Sequence, residues 1–524
     1  MNIAEENGTA SVPVTTGAPV LPSTLGYGQI PAAKKPEIPI PFTGTDTLFA
    51  LLFLVCGYLF VWLITPECFG LGVTLFTAVF CTLVLLYLKK RGKAVPKNSW
   101  FWLALVALSS VNFSLFTNVS LQFLNFLFLM GCAVYWVAVL TSGRMEERLG
   151  ACFMPDMVNQ LFKIPFLNFG CASKIIRRSA VKNRKSKVLL ASLGGALAAL
   201  PVLWIVLSLL MQADGVFQSL VKQFSDDVGT HIANFLFRLL PAFLTGSYLF
   251  GLLYGNIQKR RADSITAEKA AKLSEKCRVV PTAAAVTGTV LLCILYLVFF
   301  GAQTASLFSA FSGQGQSGLT LAEFARRGFF ELCKVAMINF AVIAFSSVLI
   351  RREEGEFRVM RAIHVFLSVE TLLLIASALS KMILYIARYG LTPKRVYTSW
   401  FMVVLAVIFV TIIVSRFKKI NLARSIVLTC AVSFLILCYA NIDGRIIGYN
   451  IGRYQNGTLE TADIGIMYRA PDAAKPYALE LYRNTKDASL KKELKTFLRD
   501  FNSQKTEFQQ MNLQKWTALR LPIE

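Results

Sequence analysis

The sequence predicts an all-α protein: a polytopic membrane helix bundle of about eleven spans with a small external C-terminal helical domain. Hydrophobic residues make up 55% of the 524 residues, and the mean hydropathy is +0.55. Many apolar runs approach the roughly 20 residues that a membrane-spanning helix needs. These runs lack the polar residues that recur every three or four positions in a helix of a soluble protein. The composition therefore excludes an ordinary soluble enzyme.

The hydropathy pattern divides the chain into three regions. Residues 1–46 are rich in Pro, Gly, Thr and Ala, and we interpret them as a disordered cytoplasmic tail because such a segment cannot bury enough apolar surface to fold alone. Residues 47–440 form the transmembrane helix bundle. Residues 441–524 predict the external helical domain, since their apolar residues recur at spacings of three and four. The predicted spans are 47–64, 70–88, 100–117, 121–140, 188–211, 232–254, 281–303, 328–350, 362–385, 397–414 and 425–440.

Basic residues are distributed unevenly between the loops, and they dominate a formal net charge of +24. The loops after even-numbered spans hold 30 Lys and Arg, whereas the intervening loops hold 6. This is the positive-inside pattern, and it predicts a multi-pass protein of the bacterial cytoplasmic membrane with its N-terminus in the cytoplasm and its C-terminus outside. Membrane lipids are the expected partners of the basic loops. A nucleic-acid partner is not indicated, because no aromatic-interleaved basic module accompanies the charge.

The sequence carries no signature of catalysis, of a metal site or of a cofactor. Its eleven Cys include no C-x-x-C pair, and seven of them fall inside predicted spans. The stretch GQGQSG at 313–318 matches a dinucleotide pattern, but it lies in a predicted external loop and follows no strand. His231 and His364 fall at span ends on opposite sides of the membrane, so they do not predict a shared metal. We expect no cofactor and no catalytic residue, and an enzyme is the less favoured class.

Polar and ionisable residues inside the spans form the candidate ligand site or polar cluster. At about 1.5 Å per residue, the bases and one acid lie in the outer third of the membrane, and two of the six residues approach the midplane. One interpretation is that the bases reach outward and that the acid at 331 pairs with the base at 334. The other is a shallow cavity, open outward, that favours an anionic group. The six candidates are Arg238, Glu331, Lys334, Asn339, Glu370 and Lys381.

A second polar set follows the last predicted span. Its residues are expected where the external domain leaves the membrane. They predict either a hydrogen-bonded cap that docks this domain on the bundle or a ligand site. The five candidates are Asn441, Asp443, Asn450, Arg453 and Tyr454.

Three stretches together resemble a known family: LAEFARRGFFELCKVAMIN (321–339), YIARYGLTPKRVYTSWFM (385–402) and NIDGRIIGYNIGRY (441–454). They are similar to uncharacterised bacterial multi-pass membrane proteins that carry a domain of unknown function, the four-one-five-three / four-one-seven-three group. The resemblance covers roughly residues 180 to 520. It implies a membrane fold and localisation and supplies no activity. The Gly-rich GRIIGYNIG departs from the family pattern, which has better helix formers there, and weakens the prediction of a helix.

These observations favour a transporter-like or sensor-like module that binds an anionic or lipid-linked ligand at its outer face. The alternative is a non-catalytic membrane scaffold for envelope or signalling partners, and a lipid-active membrane enzyme ranks third. Discontinuous helices and repeated halves would favour transport. Converging carboxylates would favour an enzyme, but the spans offer only Glu331 and Glu370.

Overall fold

The described part of the chain is built from helices. The computed structural model describes residues 40–64, 69–146, 149–182, 184–224, 230–260, 268, 272, 275–312, 321–350, 357–461, 463–503 and 506–522. Within these ranges there is no β-strand, and one isolated bridge joins Val280 to Ile350. Most of the predicted tail 1–46 and the loop 313–318 lie outside the described residues.

The helices of the described ranges are numbered in chain order. They are α1 (Gly44–Leu63), α2 (Leu71–Lys90), α3 (Ser99–Leu115), α4 (Gln122–Leu140), α5 (Phe153–Val158), α6 (Ile164–Leu167), α7 (Cys171–Lys182), α8 (Arg184–Ala213), α9 (Gly215–Phe224), α10 (Thr230–Ile257), α11 (Thr282–Ser312), α12 (Leu321–Leu349), α13 (Phe357–Tyr389), α14 (Pro393–Phe417), α15 (Leu422–Tyr439), α16 (Ile442–Gln455), α17 (Ile464–Arg469), α18 (Pro471–Asn484), α19 (Ala488–Ser503) and α20 (Leu513–Arg520). A π-helical turn, Asn159–Lys163, joins α5 to α6.

Nine of the described helices are long and apolar enough to cross a membrane. They are α1, α2, α4, the Phe237–Ile257 part of α10, and α11 to α15. The 17-residue α3 is a shorter apolar helix, and α8 coincides with the fifth predicted span. The predicted all-helical fold is confirmed for the described residues, the nine apolar helices support a membrane protein, and the count of eleven spans stays a prediction.

Two helix starts in the second half of the chain follow from local capping. The Thr392 side chain accepts a hydrogen bond from the Arg395 backbone N–H at 3.4 Å, and Pro393 occupies the first turn of α14. The Asn421 side chain likewise accepts from the Arg424 N–H at 3.0 Å and so starts α15. A capping side chain satisfies a backbone donor that the helix itself leaves unpaired, and proline suits the first turn because it has no N–H to satisfy.

The membrane helices pack in two groups. In the first, α1 packs against α2 and α10, α3 packs against α2 and α4, and α6 and α7 lie against α10. In the second, α13 is central and packs against α11, α12 and α14 around a core that includes Phe329, Leu367 and Phe409. The α3–α15 contact links the two groups.

The C-terminal helices α16 to α20 enclose a core of their own, which includes Ile447, Leu494 and Phe497. They pack at the end of the bundle that holds the α1–α2 and α3–α4 turns, where the Leu71 N–H donates to the Met511 carbonyl at 2.8 Å. We call this the outer end, after the orientation that the charges predict.

The Gly-rich stretch that departs from the family pattern is helical, as α16. A Cβ at Gly448 would lie 2.9 Å from the Tyr477 hydroxyl oxygen of α18. The glycine therefore leaves room for the Tyr477 ring, and this packing offsets the low helix propensity of glycine.

Candidate functional site

Polar side chains of α11, α12 and α13 line up along the second helix group. Along α13, the residues from His364 to Lys381 extend over about 25 Å at 1.5 Å per residue, which approaches the thickness of a bilayer core. We call this set the polar seam. Its members are Cys293 and Tyr296 of α11, Glu331, Asn339 and Ser346 of α12, and His364, Glu370, Thr371 and Lys381 of α13.

The middle of the polar seam is a hydrogen-bonded group from three helices. The Tyr296 hydroxyl donates to Oδ1 of Asn339 at 2.6 Å, and Nδ2 of Asn339 donates to Oγ1 of Thr371 at 2.9 Å. The Thr371 hydroxyl donates in turn to the Leu367 carbonyl. Asn339 and Thr371 are fully buried. The sequence-predicted candidate Asn339 therefore holds α11, α12 and α13 together at mid-depth.

Glu370 lies beside this group and is 4% exposed. The Cys293 thiol and the Tyr296 hydroxyl are its polar neighbours on α11. Neither carboxyl oxygen has a hydrogen-bond partner of normal geometry among the described residues. A carboxylate without such partners is costly to bury, and membrane proteins tolerate one mainly where it binds something.

The outer end of the polar seam joins an acid of α12 to a base of α13. Lys381 is 4% exposed, and Glu331 is its charged partner. Lys334, which the sequence suggests as the partner of Glu331, is exposed. The structure thus brings Glu331 together with a residue fifty positions away, and Lys334 is left on the outer surface of α12.

The inner end of the polar seam is a hydrogen-bonded pair, His364 and Ser346, beside a guanidinium. Nε2 of His364 and the Ser346 hydroxyl lie 2.7 Å apart. Arg416 of α14 is the nearby charged group that acts on the His364 ring. His364 is therefore flanked by a hydroxyl and a guanidinium, which is not the set of neighbours that a metal-binding histidine usually has.

Arg238 lies apart from the other intramembrane candidates. It belongs to α10, which packs against α1, α4, α6 and α7 in the first helix group, and its side chain is half-buried. Among the described residues, no helix packed against α10 belongs to the polar seam. The His231 side chain lies outside the described residues.

The five residues after the last span form the joint between α16 and the second helix group. Oδ1 of Asn450 accepts from the Leu391 N–H at 2.7 Å, and its Nδ2 donates to the Leu391 carbonyl at 2.8 Å. Arg453 donates to the Ala387 carbonyl at 2.7 Å and so covers the C-terminal end of α13. Tyr454 packs on the core of the C-terminal helices, and Asn441 is the N-terminal cap residue of α16.

Asp443 is the charged member of this joint. Burial raises the pKa of its carboxyl, while Arg469 and the Val119 backbone N–H act in the opposite direction. Arg469 also donates to the Ser120 hydroxyl at 3.2 Å. The joint therefore also reaches the α3–α4 turn, at the Val119 backbone N–H and the Ser120 hydroxyl, and its geometry is that of a packed interface.

Sequence reasoning did not single out a buried polar group where the C-terminal helices meet the outer end of α3. The Thr117 hydroxyl donates to the Asp472 carboxylate, and Nδ2 of Asn512 donates to Thr117 at 3.1 Å. Burial raises the pKa of Asp472 and lowers that of Lys475 on the same helix. Lys475 is fully buried, and its ammonium donates to Asn502 at 3.0 Å. In the sequence these residues resemble an ordinary soluble surface.

The first helix group encloses an apolar cavity of about 520 Å³. It is lined by side chains of α1, α2, α4 and α10, together with Phe166 of α6 and Phe169, which follows α6. Its few polar groups, among them Thr77 and Tyr248, are already hydrogen-bonded to backbone carbonyls. Such a lining suits a hydrocarbon chain.

The described residues contain no group of three or more His, Cys, Asp or Glu that could hold a metal ion. In comparisons with known proteins, no curated protein and no solved structure matches this chain. One family model does match, over residues 103–481, and its description is a domain of unknown function, DUF4153. The match covers most of the membrane helices, the whole polar seam and the first C-terminal helices. The chain therefore belongs to the DUF4153 family.

Proposed function

We propose that the chain is a transporter-like or sensor-like membrane protein in which the Glu370 carboxyl binds and releases a proton. The observation that carries this proposal is the burial of Glu370 at mid-depth, where the Cys293 thiol, a weak donor, is the only side chain among the described residues placed to hydrogen-bond its carboxyl. Intramembrane acids are rare, and chains of Asp, Glu and His in membrane proteins mark proton relays. Burial in such a site costs the protonated acid less free energy than it costs the carboxylate.

The other groups of the polar seam support a route to and from Glu370. On α11 it faces Cys293 and Tyr296, and the Tyr296 hydroxyl donates to Asn339 of α12. On α13 itself, Lys381 with its partner Glu331 lies toward the outer end, and His364 toward the inner end. Hydroxyl, thiol and imidazole groups can all pass a proton.

The tight packing of this region favours a proton over an organic molecule as the occupant. Asn339, Thr371 and Ser368 are fully buried, and Glu370 is 4% exposed. Ligand pockets for small organic molecules are several hundred cubic ångströms. A cavity of about 330 Å³ does reach the polar seam at Ser346, at the inner end of α11 and α12, but Glu370 does not line it.

Glu370→Gln tests the proposal directly. We expect the pH-difference infrared spectrum of the purified protein to contain a carboxylic-acid band that E370Q abolishes, because glutamine keeps the shape and cannot ionise. The matched control is Glu480→Gln, which removes an exposed glutamate of α18 and should leave that band unchanged. A spectrum of E370Q identical to that of the wild type would contradict proton binding at Glu370.

A proton-flux assay distinguishes a transporter from a sensor. The protein is reconstituted into proteoliposomes that enclose a pH-sensitive dye. In a transporter, an imposed membrane potential drives proton uptake that E370Q reduces at least tenfold. In a sensor, the infrared band is present and no flux occurs. If wild type lacks both the band and the flux, the scaffold alternative gains support.

The apolar cavity favours a second candidate function, which is the binding of a lipid-linked ligand at the outer face. Its lining would hold a hydrocarbon chain, and Arg238 lies on α10, which forms one wall. Lys381 of the polar seam and the exposed Lys334 of α12 belong to the other helix group, and Glu331 offsets the charge of Lys381. An anionic ligand would therefore be held by Arg238 or Lys334 rather than by one basic cluster.

The orientation is a proposal that thiol labelling checks. We expect an impermeant maleimide added to intact cells to label a cysteine placed at Asn484 and not one placed at Lys97, because the basic loops stay inside. Both positions are exposed. The wild-type chain supplies the background of native thiols. Labelling at Lys97 alone would reverse the orientation.

A further inference from the structure

A second cavity of about 520 Å³ opens at the inner end of the bundle, away from the polar seam. Its polar lining comes from Asn98, Arg144 and Arg424. Its apolar lining includes Phe101, Trp102 and Leu428. One wall of the cavity can thus bind an anion, and the other can contact hydrocarbon.

The walls come from three chain segments that local hydrogen bonds hold together. Asn98 immediately precedes α3, Arg144 follows α4, and Arg424 lies in the first turn of α15. Asn421, the cap residue of α15, also donates from Nδ2 to the Leu149 carbonyl at 3.2 Å. This contact ties the start of α15 to the loop after α4, so the two arginines belong to one built site.

Arg144 is positioned by buried neighbours. Tyr135 and Asp156 lie beside it, and its Nε is buried without a hydrogen-bond partner among the described residues. The Asp156 carboxylate accepts from the Met145 N–H at 3.0 Å, and burial raises the pKa of this carboxyl to about 6. Glu146 is the other nearby acid. Tyr135 holds one side of the guanidinium, and the half-buried Arg144 lines the cavity, where its remaining N–H groups can bind an oxygen of a ligand.

The surroundings of the cavity are strongly basic. Its three segments belong to or adjoin the loops 89–99, 141–187 and 415–424, which together hold 19 of the 54 Lys and Arg of the chain. Phe101 is exposed, and the Trp102 ring lies tilted against the Tyr135 ring with a centroid distance of 4.4 Å. Aromatic residues next to basic loops are typical of the level of lipid headgroups.

We propose that this cavity binds a phosphate group, supplied by the headgroup of an acidic phospholipid of the inner leaflet. The guanidinium of Arg424 and that of Arg144 bind the phosphate oxygens, and Asn98 donates from its amide. Phe101 and Leu428 contact the glycerol and the first methylenes of the chains. The proposal does not depend on proton binding at Glu370, which lies in other helices.

The test uses the full chain in phosphatidylcholine nanodiscs, titrated with short-chain phosphatidylglycerol. We expect wild type to bind phosphatidylglycerol more tightly than added short-chain phosphatidylcholine. Arg424→Gln should weaken phosphatidylglycerol binding about tenfold, or about 1.4 kcal/mol. Arg424→Lys should lose less because it keeps the charge without the two-pronged hydrogen bonds.

The matched control is Lys419→Gln, which removes one exposed positive charge from the loop just before α15 and does not line the cavity. It should leave binding unchanged. Inorganic phosphate is the second probe: competition by millimolar phosphate would identify a soluble phosphate compound as the source of the group, and no competition would identify the lipid. Equal binding by wild type, R424Q and K419Q, or no preference for phosphatidylglycerol, would overturn the proposal. Circular dichroism and the melting midpoint establish that R424Q is folded.

Discussion

Gly57→Ala is expected to destabilise the protein by about 3 kcal/mol, at the upper end of what overpacking in a core costs. In the middle of α1, a Cβ at this position would lie 2.2 Å from the Ala242 carbonyl oxygen and 2.5 Å from the Gly246 nitrogen of α10. Both obstacles are backbone atoms, so no side-chain rotation relieves the clash, and the two helices must separate. The melting midpoint of the purified protein measures the loss.

Gly131→Ala in α4 is the matched control, because its nearest contact would be the Met157 methyl at 3.7 Å. It should change stability by less than about 0.5 kcal/mol. Gly246→Ala should resemble Gly57→Ala, since its Cβ would meet the Phe53 carbonyl oxygen at 2.6 Å. The double variant should cost less than the sum of the two, because either change alone already separates the helices. Equal midpoints for Gly57→Ala and Gly131→Ala would refute this close contact.

This glycine pair illustrates what the sequence can and cannot predict about packing. Small residues recur at four-residue spacing in the fifth to seventh predicted spans, and such spacing predicts close helix contacts. A Cβ at Gly251 would lie 2.8 Å from the Pro165 carbonyl oxygen, whereas one at Gly195 or Gly288 would meet no atom within 4 Å. The close contact between Gly57 and Gly246 is only half visible in the sequence, because Ala242 and Gly246 have this spacing in α10 but Gly57 has no such partner in α1. Residue spacing can show which face of a helix carries small residues, but the helix that packs against this face depends on the tertiary fold.

Hydropathy predicts the positions of the membrane helices well and their ends poorly. The predicted span 362–385 falls inside α13, which extends from Phe357 to Tyr389. The membrane thickness sets the length of an apolar run, but a helix continues into polar residues as long as neighbouring elements satisfy its ends. At the outer end of α13, Arg453 does this from a distant part of the sequence.

The charged candidates show the same limit. Glu331 and Lys334 are three residues apart on one helix, and such spacing commonly pairs side chains. Glu331 instead has Lys381 of α13 as its charged partner. Lys381 is buried and Lys334 is exposed, so Lys381 gains more from a counter-charge. Burial decides between the two bases, and burial depends on tertiary packing.

Some polar residues within spans were detectable from their residue type alone. Asn112 and Asn125 interrupt apolar runs, and both are buried. Nδ2 of Asn112 donates to the Cys438 carbonyl at 2.9 Å, and Ser109 donates to Oδ1 of Asn125 at 2.7 Å. An amide in a membrane helix predicts an interhelical hydrogen bond. The residue type indicates the interaction, and the partner is again set by the fold.

Asp46 is the residue whose environment departs furthest from its predicted one. It falls in the segment 1–46 that the sequence assigns to the tail, yet α1 begins at Gly44 and Asp46 is fully buried. Its carboxylate forms an ion pair with Arg91 and accepts from the Tyr87 hydroxyl and from the Thr43 N–H. The Thr43 and Asp46 side chains also form a capping box at the start of α1, which the sequence does display.

Asp46→Ala should therefore destabilise the protein by about 3–5 kcal/mol, the cost of removing one partner of a buried ion pair. The Tyr87 hydroxyl and the Arg91 guanidinium would lose their shared acceptor in a place that water reaches poorly, since the Arg91 side chain is only 19% exposed. Chemical unfolding of the purified protein, followed by tryptophan fluorescence, measures the difference.

The double variant Asp46→Asn with Arg91→Gln separates charge from packing. It removes both charges and keeps groups that can hydrogen-bond Tyr87 and Thr43, so it should recover at least half of the stability that Asp46→Ala loses. Asp46→Asn alone should fall between the two, because it leaves Arg91 as an uncompensated charge. If all three variants lose the same stability, the ion pair contributes nothing and the capping of α1 is the whole effect. If the variants lose stability in the expected order, the Asp46 carboxylate is the group that fixes the start of α1 to the end of α2.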